Sequence, residues 1–138
     1  MYLFDTNLVS ELRKDDKADP HVLAWASGVK RSSMFLSVIN LRELETGVLL
    51  MERRDPIQGA ALRRWLRDTV AVKFDGRILP IDETVALRAA QLYVPNPHPE
   101  SDALIAATAL VHGLIVATRN VSDFETTGVR SVNPWLAR

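Results

Sequence analysis

Short runs of β-branched and aromatic residues alternate along this chain with segments of helical periodicity, and that alternation limits its fold more than any other feature. Residues 2–4, 34–38, 114–117 and 130–132 form the apolar runs, each with the length and residue types of a strand. Helical patterns fill the intervals. Pro20 suits a first helical turn that leads through Val22, Leu23, Trp25 and Ala26 to Gly28. Leu41, Leu44, Val48 and Leu49 recur at helical spacing, as do Leu62, Trp65, Leu66 and Val70. Another helix is expected from Asp82 through Tyr93, and the strongest from Glu100 to His112, with Gly113 as its stop. Strands separated by helices need crossover connections, so the expectation is an α/β fold with a parallel sheet covered on both faces. Val94-Pro95-Asn96-Pro97-His98-Pro99 is a stiff connector, too short to divide domains. Residues 1–138 are therefore expected to form a single domain.

Composition narrows the function classes. A chain of 138 residues with 47% apolar and 25% charged residues is ordinary for a water-soluble fold. Its formal net charge is zero, so any nucleic-acid binding must use a local patch. Cysteine is absent, which excludes disulfides and thiolate metal sites and suits a reducing cytoplasm. No charged leader precedes an apolar core, and no apolar run reaches membrane-spanning length. A cytoplasmic protein with no membrane partner is the expectation.

Four acids stand at the junctions of these elements. Asp5 follows Met1-Tyr2-Leu3-Phe4, Glu43 follows Phe35-Leu36-Ser37-Val38-Ile39, Asp102 precedes Ala103-Leu104-Ile105-Ala106-Ala107, and Asp123 follows Leu114-Ile115-Val116-Ala117. Open α/β sheets present such junction residues to a crevice at the carboxyl ends of their strands. Converging carboxylates repel, and a hard cation with oxygen ligands relieves that repulsion. Each acid also has an ordinary explanation. Asp5 suits an N-cap, Asn40 with Glu43 matches a capping box, Asp102 suits a first helical turn, and Asp123 can close a turn with Ser122. Asp82 and Glu83 read as helix-start acids only. The ordinary explanations do not account for the repetition.

Several ordered motifs carry a resemblance that covers nearly the whole chain. Leu3-Phe4-Asp5-Thr6-Asn7 looks like the opening of PIN-domain ribonucleases, and Ser37 to Leu44 with Gly47 resembles their second motif. Asp102 to Ala109 is similar to the third, and Ala117 to Phe124 resembles the fourth, followed by the familiar ending Val132-Asn133-Pro134-Trp135. Gly76-Arg77-Ile78-Leu79-Pro80 resembles a signature of VapC-type toxins, particularly their FitB-like subgroup. The resemblance implies a three-layer α/β/α sandwich with a short, mainly parallel central sheet. It also implies a Mg²⁺- or Mn²⁺-dependent endoribonuclease, the toxin of a type II toxin–antitoxin pair. The implied partners are RNA, a cognate antitoxin whose C-terminal segment blocks the site, and a second copy in a homodimer, with higher assembly open. Two departures stand out. Family members place the fourth acid either where this chain has Asn120 or where it has Asp123. The connector at 94–99 is also shorter than in many relatives.

Residue types then suggest roles. Asp5 and Asp102 are expected as direct metal ligands, with Glu43 and Asp123 completing the cluster through water or a second ion. A bound ion would acidify a water and neutralise phosphate charge. Thr118 and Asn120 are expected as polar supports or substrate contacts, and Arg42 and Arg119 as contacts to substrate or partner. Arg63, Arg64 and Arg67 share one helical face, as a phosphate-binding patch or as an ordinary solvated face. His98 reads as a loop residue rather than a base. Val48, Leu49, Leu50 and Met51 exceed one narrow apolar stripe, which fits self-association or a groove for a partner helix. Two rivals stand beside the nuclease. One is a non-catalytic module that pairs with a DNA-binding antitoxin. The other is an aspartyl-phosphate protein, disfavoured because Asn7 stands where a phosphatase wants a second acid.

Overall fold

The computed structural model describes residues 1–136; Ala137 and Arg138, where the expected domain ends, lie outside the described residues. Five strands form one sheet: β1 (Tyr2–Phe4), β2 (Met34–Ser37), β3 (Ile78–Leu79), β4 (Ile115–Ala117) and β5 (Ser131–Val132). Their order is β3-β2-β1-β4-β5 and every pairing is parallel, with Leu3 opposite both Phe35 and Val116. The helices are α1 (Thr6–Leu12), α2 (Pro20–Ser27), α3 (Val38–Arg54), α4 (Pro56–Trp65), α5 (Ala71–Lys73), α6 (Glu83–Gln91) and α7 (Glu100–His112). None is long and apolar enough to cross a membrane.

Strand alternation divides the core in two. Successive side chains of a strand point to opposite faces, so Leu3 and Val116 pack with α6 and α7 while Phe4 and Ala117 pack with α1, α2 and α3. Both faces of the sheet are covered, as three α/β/α layers require. On the second face Trp25 from α2, partly buried, lies 5.0 Å from the Tyr2 ring and 5.6 Å from Phe4 and packs against the core there.

The chain runs outward from β1 through β2 to β3, then returns to the other side of β1 for β4 and β5. The strand order therefore reverses between β1 and β4, where open parallel sheets leave a crevice at the strand carboxyl ends. Asp5 and Thr118 are the residues that follow those two strands.

Several boundaries differ from expectation. β3 was not among the expected strands; two residues cannot display a period. The strand expected over 34–38 ends at Ser37, because Ser37 is the N-cap of α3 and accepts from the Ile39 amide at 3.0 Å. The capping box is Ser37 with Asn40, not Asn40 with Glu43, so Glu43 lies in the second turn of α3 with its carboxylate free for another partner. The segment expected as one helix over 62–70 is α4 followed by a π-helical turn, Leu66–Val70, that buries both Leu66 and Val70.

Candidate functional site

Asp5 is reached from three directions. It caps α1, its Oδ1 accepting from the Thr6 amide at 2.9 Å. The same oxygen takes the Asn40 side-chain amide at 3.4 Å. Oδ2 accepts the Thr118 hydroxyl at 2.8 Å. The cap explanation holds, and capping accounts for only part of the geometry: the Thr6 amide fixes the backbone, while Asn40 and Thr118 hold the carboxylate from distant elements.

Glu43 is oriented in a similar way. Its Oε1 accepts the Thr6 hydroxyl at 2.6 Å, and the Thr6 oxygen in turn accepts from Asn40 at 3.2 Å. Asn40 is wholly buried with both polar atoms partnered: Oδ1 accepts from the Ser37 amide at 3.0 Å while Nδ2 donates to Asp5 and Thr6. Buried amides are tolerable only when satisfied in this manner. Thr6 and Asn40 were not among the expected site residues. Their signal was present in the tripeptide after β1 and in the double fit of Ser37 and Asn40 to a capping pattern, but it pointed only to local caps.

The other acids arrive from the far side of the crevice. Asp102 lies in the first turn of α7, half-buried, beside Ser101, which accepts from Arg42 at 2.9 Å and so ties α3 to α7. Asp123 is exposed on the 3₁₀ segment Val121–Thr127. Burial pushes the Asp5 carboxyl above the usual range, against the opposing pull of Thr118 and the Thr6 amide; Glu43 and Asp123 push it further. Asp102 is raised by burial first, then by Asp123, Asp5 and Glu43, with His98 opposing. The four acids therefore share one electrostatic neighbourhood. Asn120, the other candidate for the fourth acid, takes part through its backbone, donating to the Thr118 hydroxyl oxygen at 3.0 Å.

The basic residues divide. Arg119 places its guanidinium 5.5 Å from the Trp135 ring centroid beside the crevice. Arg63 is held by Glu45 at 2.6 and 2.8 Å and by Glu52, and Arg67 by Asp68 at 2.8 Å. Both guanidiniums are engaged by neighbouring carboxylates.

The donor set suits a hard divalent cation. Carboxylate and hydroxyl oxygens line the crevice. No three acidic or histidine groups among the described residues stand at the spacing to ligate one ion together. Mg²⁺ does not require three, since it binds through one or two carboxylates and keeps several waters.

Comparison with known proteins agrees with this architecture. The PIN domain pattern matches residues 2–128. The chain is 36% identical to the VapC ribonuclease Y4jK of Sinorhizobium fredii over 98% of each chain. Among solved structures, FitAcB from Neisseria gonorrhoeae superposes with a TM-score of 0.89 at 35% identity, covering 98% of this chain and 99% of that one. A toxin–antitoxin complex from Klebsiella pneumoniae follows at 0.70 and 25%, over 97% and 98%. With its motifs in order, its sheet reversing beside Asp5 and relatives matched over their full length, this chain belongs to the PIN-domain family.

Proposed function

We propose that the protein is a divalent-metal-dependent endoribonuclease, the toxin of a toxin–antitoxin pair, hydrolysing phosphodiester bonds in the crevice of Asp5, Glu43, Asp102 and Asp123. The observation that carries this reading is the neighbourhood of Asp5, held by Thr6, Asn40 and Thr118 at the β1–β4 reversal, and Asp102, two partly buried carboxyls raised by burial and by the other acids. Such a cluster is stable in its charged form only with an outside cation. Asp5 and Asp102 would hold Mg²⁺ or Mn²⁺, and Glu43 and Asp123 would bind its waters or a second ion. When bound, the ion supplies an acidified water and neutralises charge on the scissile phosphate.

The remaining residues have supporting work. Thr118, Thr6 and Asn40 keep the Asp5 and Glu43 oxygens turned to the crevice. Asp123 is taken as the fourth acid rather than Asn120, because its charge acts on both Asp5 and Asp102 while Asn120 engages Thr118 through its backbone. Arg119 and Arg42 supply positive charge at the rim, where phosphates on either side of the cut would lie.

An antitoxin is the proposed protein partner, as in the Klebsiella complex, and a homodimer the proposed assembly. Leu49, Leu50 and Ile57 on α3 and α4 are 54%, 65% and 81% exposed and are the apolar side chains this helical pair would offer to such a partner.

Cleavage of structured RNAs by the partner-free protein tests the reading, with Mg²⁺, Mn²⁺ or EDTA and with Asp5→Asn and Asp102→Asn beside the wild type. Cutting that needs the metal and disappears in both folded variants is the expected result. Cutting that persists in the variants assigns the activity elsewhere. No cutting, together with no stabilisation by either ion, would leave a non-catalytic module that binds an antitoxin.

A further inference from the structure

Asp102 and Asp123 stand on different elements whose exposed ends no strand pairing joins. Pro99 precedes α7 as its N-cap residue and offers no side-chain cap. The 3₁₀ segment is anchored from beneath by Phe124, wholly buried in the core that α7 helps to form, yet Asp123 itself faces solvent. A polar bridge adds to that packing. His98, half-buried in the connector, has Nδ1 2.6 Å from the Leu92 carbonyl oxygen and Nε2 2.7 Å from the Thr126 hydroxyl. A carbonyl only accepts, so Nδ1 carries the proton toward Leu92, and Nε2 hydrogen-bonds the Thr126 hydroxyl. The ring thereby joins the end of α6, the connector into α7, and the segment that carries Asp123.

We infer that His98 is a positioning residue of the acidic crevice: its bridge to Thr126 sets the separation of Asp102 and Asp123, and with it the affinity of the crevice for a divalent cation. The inference rests on the metal-nuclease reading above. Asp123 is the strongest acidic neighbour acting on Asp102, so the two segments repel one another while no cation is bound. Phe124 holds the inner side of the 3₁₀ segment, and the histidine bridge holds its outer end. Released there, the pair opens, and a site that must draw its carboxylates together binds its ion more weakly.

The test is Mn²⁺ affinity, followed by the electron paramagnetic resonance signal of the free ion, with the melting temperature of the metal-free protein recorded alongside. The variants are His98→Ala, His98→Asn and Thr126→Val. His98→Asn can keep a donor for the Leu92 carbonyl but cannot reach Thr126. All three should bind Mn²⁺ about tenfold more weakly than wild type, the low end for groups that orient metal ligands. The loss should vanish when each is combined with Asp123→Asn, because no pair then remains to be held. A loop staple without a role in the site would lower the melting temperature, be restored by His98→Asn and leave Mn²⁺ affinity unchanged. That outcome overturns the inference, and so does a loss that persists undiminished beside Asp123→Asn. Wild-type protein that takes up no Mn²⁺ removes the metal site itself, and the inference with it.

Discussion

Thr118 donates its hydroxyl proton to Asp5 Oδ2 at 2.8 Å, joining residues 113 positions apart. The hydroxyl has one proton, so its oxygen is left to accept from the Asn120 amide at 3.0 Å and the Asn7 side chain at 3.4 Å. Thr118 is wholly buried at the end of β4, beside the end of β1, and the loop carrying the fourth acid is tied to the first acid through it.

Thr118→Val keeps the shape and removes that hub. Leaving the Asn120 amide and one Asp5 oxygen without their partner should cost about 1–3 kcal/mol in chemical denaturation. RNA cleavage should fall by about tenfold or more, as for other groups that orient metal ligands. Thr118→Ser should recover most of both. Wild-type cleavage by the valine variant would remove Thr118 from the site.

Asp102→Asn should raise the melting temperature of the metal-free protein at neutral pH while abolishing cleavage. A carboxyl raised on folding binds its proton more tightly in the folded state than in the unfolded one. Stability is therefore lost as pH rises from the ordinary carboxylate range through the raised value, and stays lost above it. The asparagine variant escapes that loss, so its advantage should be present near neutrality and disappear in acid below the ordinary range. An advantage that grows on acidification would contradict the assigned cause.

Two glycines on the α3–α4 pair should respond in opposite directions to alanine. A Cβ on Gly59 would come within 2.7 Å of the Glu52 amide nitrogen, so the helices would have to separate, at roughly 1–3 kcal/mol. A Cβ on Gly47, in the interior of α3, meets nothing within 4 Å. Gly47→Ala should therefore stabilise by about 0.5–1 kcal/mol through helix propensity. Thermal melts of the two variants side by side would check the contrast.

RNA affinity should distinguish the rim arginines from the helical ones. Arg119→Ala and Arg42→Ala should each weaken binding and lower the slope of log affinity against log salt by about 0.7–1. Arg63→Ala should leave the slope unchanged, since Glu45 and Glu52 already occupy that guanidinium. An unchanged slope in the Arg119 variant would place the phosphates elsewhere.

What could be read from the chain alone were features whose cause is local. The parallel α/β layering followed from strand and helix periods, and the positions of Asp5 and Asp102 at a strand end and a first helical turn followed from the junctions themselves. Where local signals were short or shared, they misled. Ile78-Leu79 is too brief to announce a strand, and Ser37 and Asn40 both fit a helix start, so Glu43 was credited with a cap that Asn40 supplies. Tertiary structure decided the rest. That Thr6 meets Glu43 across 37 positions, that Thr118 meets Asp5 across 113, and that Arg63 is spent on Glu45 depends on which elements the sheet order and helix packing bring together. A hydroxyl or guanidinium carries no mark of its distant partner in its own neighbourhood of sequence. Only the pairing of β1 with β2 on one side and with β4 on the other brings those groups within the 2.6–2.8 Å at which a hydrogen bond aims a carboxylate.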